Sequence, residues 1–380
     1  MSNERREYYL DNLRTIIILG LFLFHACEIY HLDEGFYIEA EKKMLPTLIY
    51  NFVSPWYMSV LFIIAGFTSM HSLKKRSIGG YCAERIYRIL VPLLVGLLCW
   101  VPFESYWVLK NHSDFSGSML DAWKYFFTHG NLFSYGYHGE FSTSHLWFLL
   151  SLFVVSFVCI PIIVIKKKYP QKVSFKFNTL SMVAIIIIIY IISYGTSDES
   201  TLKFIVFFAL GVLLFDNKTF FGYLDKNMKT IVFISLVCDC MTSYFLIRMK
   251  HVETISLSYA MMRAVWAVSC TISVFAVIAL GRKYLGFSNK KWQYLSNRSF
   301  AIYFIHMIPL IAIGYYVVTC LKIWYPIQIL IIMTSTFLVT ICIVEISVYI
   351  KPFRKLLKLR KIQFGTRPVL VINECNRSEE

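Results

Sequence analysis

Apolar residues in this chain of 380 gather into runs separated by short polar segments. A hydrocarbon core about 30 Å thick takes roughly 20 apolar residues per helical crossing. The pattern predicts ten spans, at 15–30, 52–70, 89–109, 146–165, 180–195, 202–216, 230–248, 256–280, 299–320 and 324–350. The predicted fold class is therefore an all-α integral membrane protein of about ten transmembrane helices. The membrane domain covers 1–355, and a basic tail follows over 356–380. No internal repeat or low-complexity tract interrupts it.

The polar segments alternate in character. Lys74-Lys75-Arg76, Lys166-Lys167-Lys168, Lys290-Lys291 and the tail from Lys351 fall on the side that holds both termini, together with most of the 38 Lys and Arg. The excess of Lys and Arg in cytoplasmic loops then places both termini in the cytoplasm, which requires an even number of spans. On the other side, 31–51 is acidic (Asp33, Glu34, Glu39, Glu41), and 110–145 is long and rich in Trp, Tyr and Phe. Aromatic faces with scattered polar groups suit sugar rings, and they also suit a membrane-interface belt.

Composition agrees with this reading. A hydrophobic fraction of 57% and a mean hydropathy of +0.58 exclude a soluble protein. The net charge of +15 sits in short loops between apolar runs, where it orients the chain in the lipid bilayer, and it forms no stripe for nucleic acid. The ten cysteines show neither a CxxC pair nor zinc-type Cys/His spacing, so no metal is predicted. The first apolar run lacks a small-residue cleavage site and reads as a retained helix. The implied localisation is the cell (plasma or inner) membrane, multi-pass.

Within the first span one helix face carries unusual chemistry. The eleven-residue step from Arg14 to His25 amounts to three turns plus about 20°, and a rise of about 16 Å, so both share a face, with His25 near mid-depth. Asp11 and Glu28 lie within about 60° of the same line. Lipid does not tolerate such a stripe, and an ionisable residue inside the membrane points to function unless it only ties helices together. Arg85 and Arg88 open the third span at i, i+3, close in depth to Arg14. Together they form a fork-shaped receptor for phosphate or carboxylate, or else snorkelling anchors. Asp239 and Arg263 are lone intramembrane charges whose depths differ by more than about 10 Å by rise per residue, too far for a direct pair.

Ordered stretches along the whole chain resemble membrane acyltransferase family 3. They are Arg6-Glu7-Tyr8-Tyr9-Leu10-Asp11-Asn12-Leu13-Arg14 leading to His25, Arg85-Ile86-Tyr87-Arg88 with Ile89-Leu90-Val91-Pro92, Ser144-His145-Leu146-Trp147-Phe148-Leu149-Leu150, Ser299 to His306, and Glu345 before Lys351-Pro352-Phe353-Arg354. The opening and the Ser144–Leu150 stretch look closest to the glucan succinyltransferase branch. Met307 departs from that branch, where a second histidine beside His306 is expected. The resemblance implies transfer of an acyl group from a coenzyme A thioester (acetyl-CoA or succinyl-CoA) to a hydroxyl of an extracytoplasmic carbohydrate. His25 would act as base or nucleophile, with Glu28 or Glu345 as its carboxylate. Arg14, Arg85 and Arg88 would dock the donor's phosphates, Tyr303 and His306 would line the thioester channel in the inner half, and His145 and Trp147 would shape the acceptor mouth. A polytopic transporter exporting a small acylated or anionic solute is the competing reading. It predicts inverted repeats and Gly/Pro-broken helices at matching positions, which the sequence does not show.

Overall fold

The computed structural model of the protein describes residues 8–359 apart from 34, 75, 114, 133, 171–174, 196–199 and 249–255. Glu34, Lys75, Arg6, Glu7 and all but the first four residues of the basic tail 356–380 lie outside the described residues. The helices in chain order are α1 (Tyr8–Glu28), α2 (Met44–Val53), α3 (Tyr57–Leu73), α4 (Ile78–Arg85), α5 (Val91–Cys99), α6 (Ser105–His112), α7 (Met119–Thr128), α8 (Trp147–Val158) and α9 (Ile160–Lys168). They continue as α10 (Thr179–Gly195), α11 (Thr201–Leu214), α12 (Lys218–Arg248), α13 (Leu257–Tyr284), α14 (Lys290–Ile305), α15 (Met307–Cys320), α16 (Tyr325–Tyr349) and α17 (Lys351–Leu356). A π-helical turn, Ile86–Leu90, joins α4 to α5.

Among the described residues six helical stretches are long and apolar enough to cross a membrane, or eight if each of two bent pairs counts as one span. The runs predicted at 180–195 and 202–216 are helices of 17 and 14 residues, shorter than a full crossing needs. Each bend has a proline behind it. Pro309 cannot donate to the carbonyl of Ile305 one turn earlier, and its ring crowds that carbonyl, so α14 and α15 meet at 62° around His306. Pro161 does the same between α8 and α9, at 47°.

At the centre stands α1, which packs against α2, α3, α13, α14, α15 and α16. The most apolar stretch of α13 is 72% buried, against 28% for those of α12 and α16, so α13 belongs to the interior and the other two face lipid. Helices α3 and α11 approach through glycines: a Cβ on Gly66 would strike the Phe208 carbonyl, and one on Gly211 the Ile63 carbonyl. Asp239 accepts hydrogen bonds from Ser235, Ser269 and Ser273, while Arg263 donates to the Ser193 carbonyl and lies 4.9 Å from the Trp266 ring. These lone charges are thus held by separate groups within the bundle.

The long aromatic segment 110–145 is ordered by α7, whose N-terminus has a reciprocal Ser118–Asp121 cap. Gly130, Gly136 and Gly139 make its left-handed turns at φ of 79°, 82° and 80°. It folds back over the end of the bundle where α1 finishes, with Tyr37 Oη donating to the Tyr135 carbonyl at 3.1 Å.

Candidate active site

The stripe on α1 places His25 one turn before Glu28, and the structure closes that pair: His25 Nδ1 lies 2.8 Å from Glu28 Oε2. A carboxylate accepts, so Nδ1 carries the proton and Nε2 keeps its lone pair. The ring stacks with Phe36 at 5.8 Å and 15° and with His306 at 5.6 Å and 28°, between centroids and planes.

His306 occupies the corner between α14 and α15. Its Nδ1 is 2.6 Å from the Tyr303 carbonyl, and a carbonyl only accepts, which fixes the same tautomer as in His25. On its other side stands His145, 5.3 Å between ring centroids and edge-on. His145 Nε2 donates to the Phe304 carbonyl at 3.1 Å, and its Nδ1 is 3.4 Å from Glu104 Oε1. Ser144 Oγ donates to Glu104 Oε2 at 2.6 Å, and Ser144 holds a left-handed backbone (φ 46°) that a non-glycine residue adopts only under constraint. Tyr303 Oη donates to the His145 carbonyl at 2.6 Å, tying α14 to the start of α8. Three imidazoles and two carboxylates from α1, the α14–α15 corner, the turn before α8 and the segment before α6 therefore meet. Among the described residues no group of three or more His, Cys, Asp and Glu has a metal-holding arrangement.

The cluster opens into a cavity of about 870 Å³ lined by His25, Glu28, His145 and Trp147. Its walls are aromatic, with Phe36, Tyr37, Tyr50, Tyr57, Tyr135, Tyr137 and Trp266, and Asp33 and His31 stand at its rim. Lys203, 5% exposed, also lines it, with its ammonium 4.9 Å from both the Phe204 and Trp266 rings.

The expected residues fall in two places. His25, Glu28, His145, Trp147, Tyr303 and His306 come together, and Tyr303 and His306 sit against His25 and His145, not apart from them in the inner half. Arg14, Arg85 and Arg88 lie elsewhere. Arg14 pairs with Asp11 at 2.8 Å. Arg85 Nη2 donates to Ser69 Oγ at 2.7 Å, its guanidinium stacks 4.7 Å from the Tyr81 ring, and its buried Nε has no hydrogen-bond partner among the described residues. Arg88 Nε is 2.9 Å from Glu84, to which Arg76 also donates. Lys358 joins this group, its ammonium pushed down to about 8 by burial and then by Arg88. Glu345, the alternative partner for His25, instead accepts from Arg298 Nε at 2.8 Å and Tyr294 Oη at 2.9 Å. The His25 carboxylate is Glu28, because i, i+3 on one helix brings the pair into contact without help from another element.

Glu104, Lys203 and Glu84 were missed by sequence reasoning. Each had a signal: Glu104 is a single carboxylate ending an apolar run, Lys203 a single cation inside one, and Glu84 precedes Arg88 by one turn. Spacing says nothing about what a residue on another helix will meet.

A bundle of apolar helices around a buried histidine and carboxylate cluster, open to an aromatic cavity, defines the class of multi-pass membrane enzymes. The sequence profile described as "Acyltransferase domain" matches residues 7–345, and the chain belongs to that acyltransferase 3 family. It is an acyltransferase. "Glucans biosynthesis protein C" of Escherichia coli O157:H7 (strain EC4115 / EHEC) is 24% identical over 400 aligned positions, which cover 96% of each chain. The protein of the same description from Escherichia coli K12 is 23% identical with the same coverage. The one from Salmonella heidelberg (strain SL476) is 24% identical over 82% of this chain and 84% of its own. No solved structure matches the chain at a significant level.

Proposed function

We propose that this acyltransferase moves an acetyl or succinyl group from a coenzyme A thioester to a hydroxyl of an extracytoplasmic carbohydrate, a glucan in keeping with the description of its relatives. The observation that carries the reading is the His25–Glu28 pair at the wall of a large aromatic cavity. Sugar rings pack their apolar faces on aromatic side chains, and His25 Nε2 stands where it can take the proton from a hydroxyl bound there. Glu28 holds the ring in that tautomer and offsets the imidazolium that forms. With both termini cytoplasmic, Arg14, Arg85, Arg88 and Lys358 face the cytosol, where the donor is made. The orphaned Nε of Arg85 suits a phosphate oxygen, and Glu84 would yield Arg76 and Arg88 to one.

The test is acyl transfer in nanodiscs from acetyl-CoA or succinyl-CoA to a glucan oligosaccharide, read by mass spectrometry of the sugar. An ester adduct is expected from the wild type. His25→Gln keeps polarity but not basicity, and should lower the rate by about 10²-fold or more. Near-normal transfer by His25→Gln, normalised to folded protein, would overturn the assignment of the base.

A further inference from the structure

We propose that His306 carries the acyl group covalently, as an acyl-imidazole on Nε2, so that transfer runs as two half-reactions on opposite sides of this side chain. The inference rests on the acyltransfer reading above and adds a second reacting residue to it.

The geometry begins with the corner between α14 and α15. Met307, just after it, lines the large aromatic cavity, whereas Phe304 and Ile305, just before it, line a second cavity of about 260 Å³. The second cavity is apolar and runs down to Phe353 and Leu357, beside Lys358 and hence beside the Arg76 and Arg88 group. His306 follows Ile305 and precedes Met307, so its backbone stands between the two linings although its side chain lines neither cavity. A thioester arm rising from the arginines enters the lower space, and a sugar enters the upper. The backbone of 304–307 stands between them, so a direct meeting of hydroxyl and thioester in one space is obstructed. His306 is the nucleophilic side chain at the partition.

Its chemical state suits the task. His306 is 1% exposed, its Nδ1 proton is committed to the Tyr303 carbonyl, and its Nε2 lone pair has no hydrogen-bond partner among the described residues. Buried polar atoms are nearly always satisfied, so an orphaned basic nitrogen beside His25 and His145, on a residue whose chain neighbours line two cavities, points to a reaction partner. His25 stacks on the same ring at 5.6 Å with its own Nε2 lone pair available, which places a base one ring away.

In the first step the Nε2 lone pair attacks the thioester carbonyl carbon and the C–S bond breaks. The thiolate leaves with the electron pair and is protonated by solvent at the arginine end. The resulting acyl-imidazolium keeps its Nδ1 proton on the Tyr303 carbonyl, which offsets the charge. In the second step the sugar hydroxyl attacks the acyl carbon and His25 Nε2 accepts its proton. The C–N bond then breaks, its electron pair returns to His306, and His25 releases the proton to water in the upper cavity. One proton is taken up on one side and one is released on the other, so the reaction balances.

The experiment is rapid-quench measurement of free thiol with full-length protein in nanodiscs and acetyl-CoA or succinyl-CoA, without any sugar. A burst approaching one thiol per active protein is expected, together with an acyl adduct on the peptide containing His306. The burst should survive His25→Gln, which blocks only the second step, and vanish in His306→Gln and His306→Asn. All three variants should lose transfer to glucan. Wild-type protein that esterifies glucan yet shows neither burst nor adduct would overturn the relay and leave the acyltransfer reading intact. So would a burst that persists in both His306 variants, or one lost only in His25→Gln. Protein that esterifies no acceptor from either donor yet folds would instead overturn the proposed donors and acceptor.

Discussion

At the scale of the residue, charge partners decide what each ionisable side chain is free to do. Arg88 and Arg76 both lean on Glu84, so phosphates of the proposed donor would compete with that carboxylate. Glu84→Gln should therefore tighten donor binding severalfold, whereas Arg85→Ala should weaken it by roughly tenfold, the worth of one charge-assisted hydrogen bond of about 1.5 kcal/mol. Both are read by calorimetric titration of coenzyme A into nanodiscs, and equal affinities in all three proteins would remove the arginines from donor docking. Glu345 has a different part. It accepts from Arg298, whose side chain is 1% exposed, and its removal leaves a buried guanidinium without its carboxylate. Glu345→Gln should lower thermal stability by about 1–3 kcal/mol with little change in the thiol burst. A burst lost at unchanged melting temperature would return Glu345 to the chemistry.

At the scale of the element, two features fix the site's shape. One is the pair of glycines where α3 crosses α11, since a methyl on Gly66 meets carbonyl oxygen and not a side chain that can swing away. Gly66→Ala gains up to about 1 kcal/mol of helix propensity but loses about 1–3 kcal/mol to overpacking. The expected net is a lower melting temperature in detergent, and a higher one would show that the helices part without cost. The other is the cap of α7, which orders the aromatic segment over the cavity. Hydrogen bonds from Ser118 hold the Asp121 carboxyl below its usual range. For a depressed carboxylate the stabilisation is present above the unfolded value of 3.8 and lost as pH falls through the lower folded one. Amide exchange in α7 should accelerate below about pH 4, an effect absent in Asp121→Asn.

At the scale of the whole molecule, the proposed transfer requires the arginine group on the cytosolic side and the aromatic cavity on the other. The proposed orientation, with both termini cytoplasmic, puts Lys322, between α15 and α16, outside the cell and Lys290, at the start of α14, inside. In cells whose native exposed cysteines are replaced, Lys322→Cys should react with an impermeant maleimide and Lys290→Cys only after lysis. The reverse pattern would invert the molecule and put the aromatic cavity in the cytosol. Labelling of both from one side, or of neither, would show that α14 and α15 turn back without crossing.

Much of this architecture is readable from the chain because it depends on local facts. Apolar run length sets a helix that can cross, and a spacing of three puts Glu28 on His25 whatever else the bundle does. The break between α14 and α15 falls inside a run that reads as one span, 299–320, although Pro309 marks its place. What the tertiary fold decided is which helices meet. Glu104 and His145 are 41 positions apart, and His25 and His306 are 281 apart, so no periodicity could join them. Glu345 drew attention as a carboxylate in an apolar span, yet Arg298 on α14 claims it because the packing of α14 on α16 brings that cation closer than His25. Pairing within a helix follows from backbone geometry alone, whereas pairing between helices follows from how every apolar face in the bundle is buried at once.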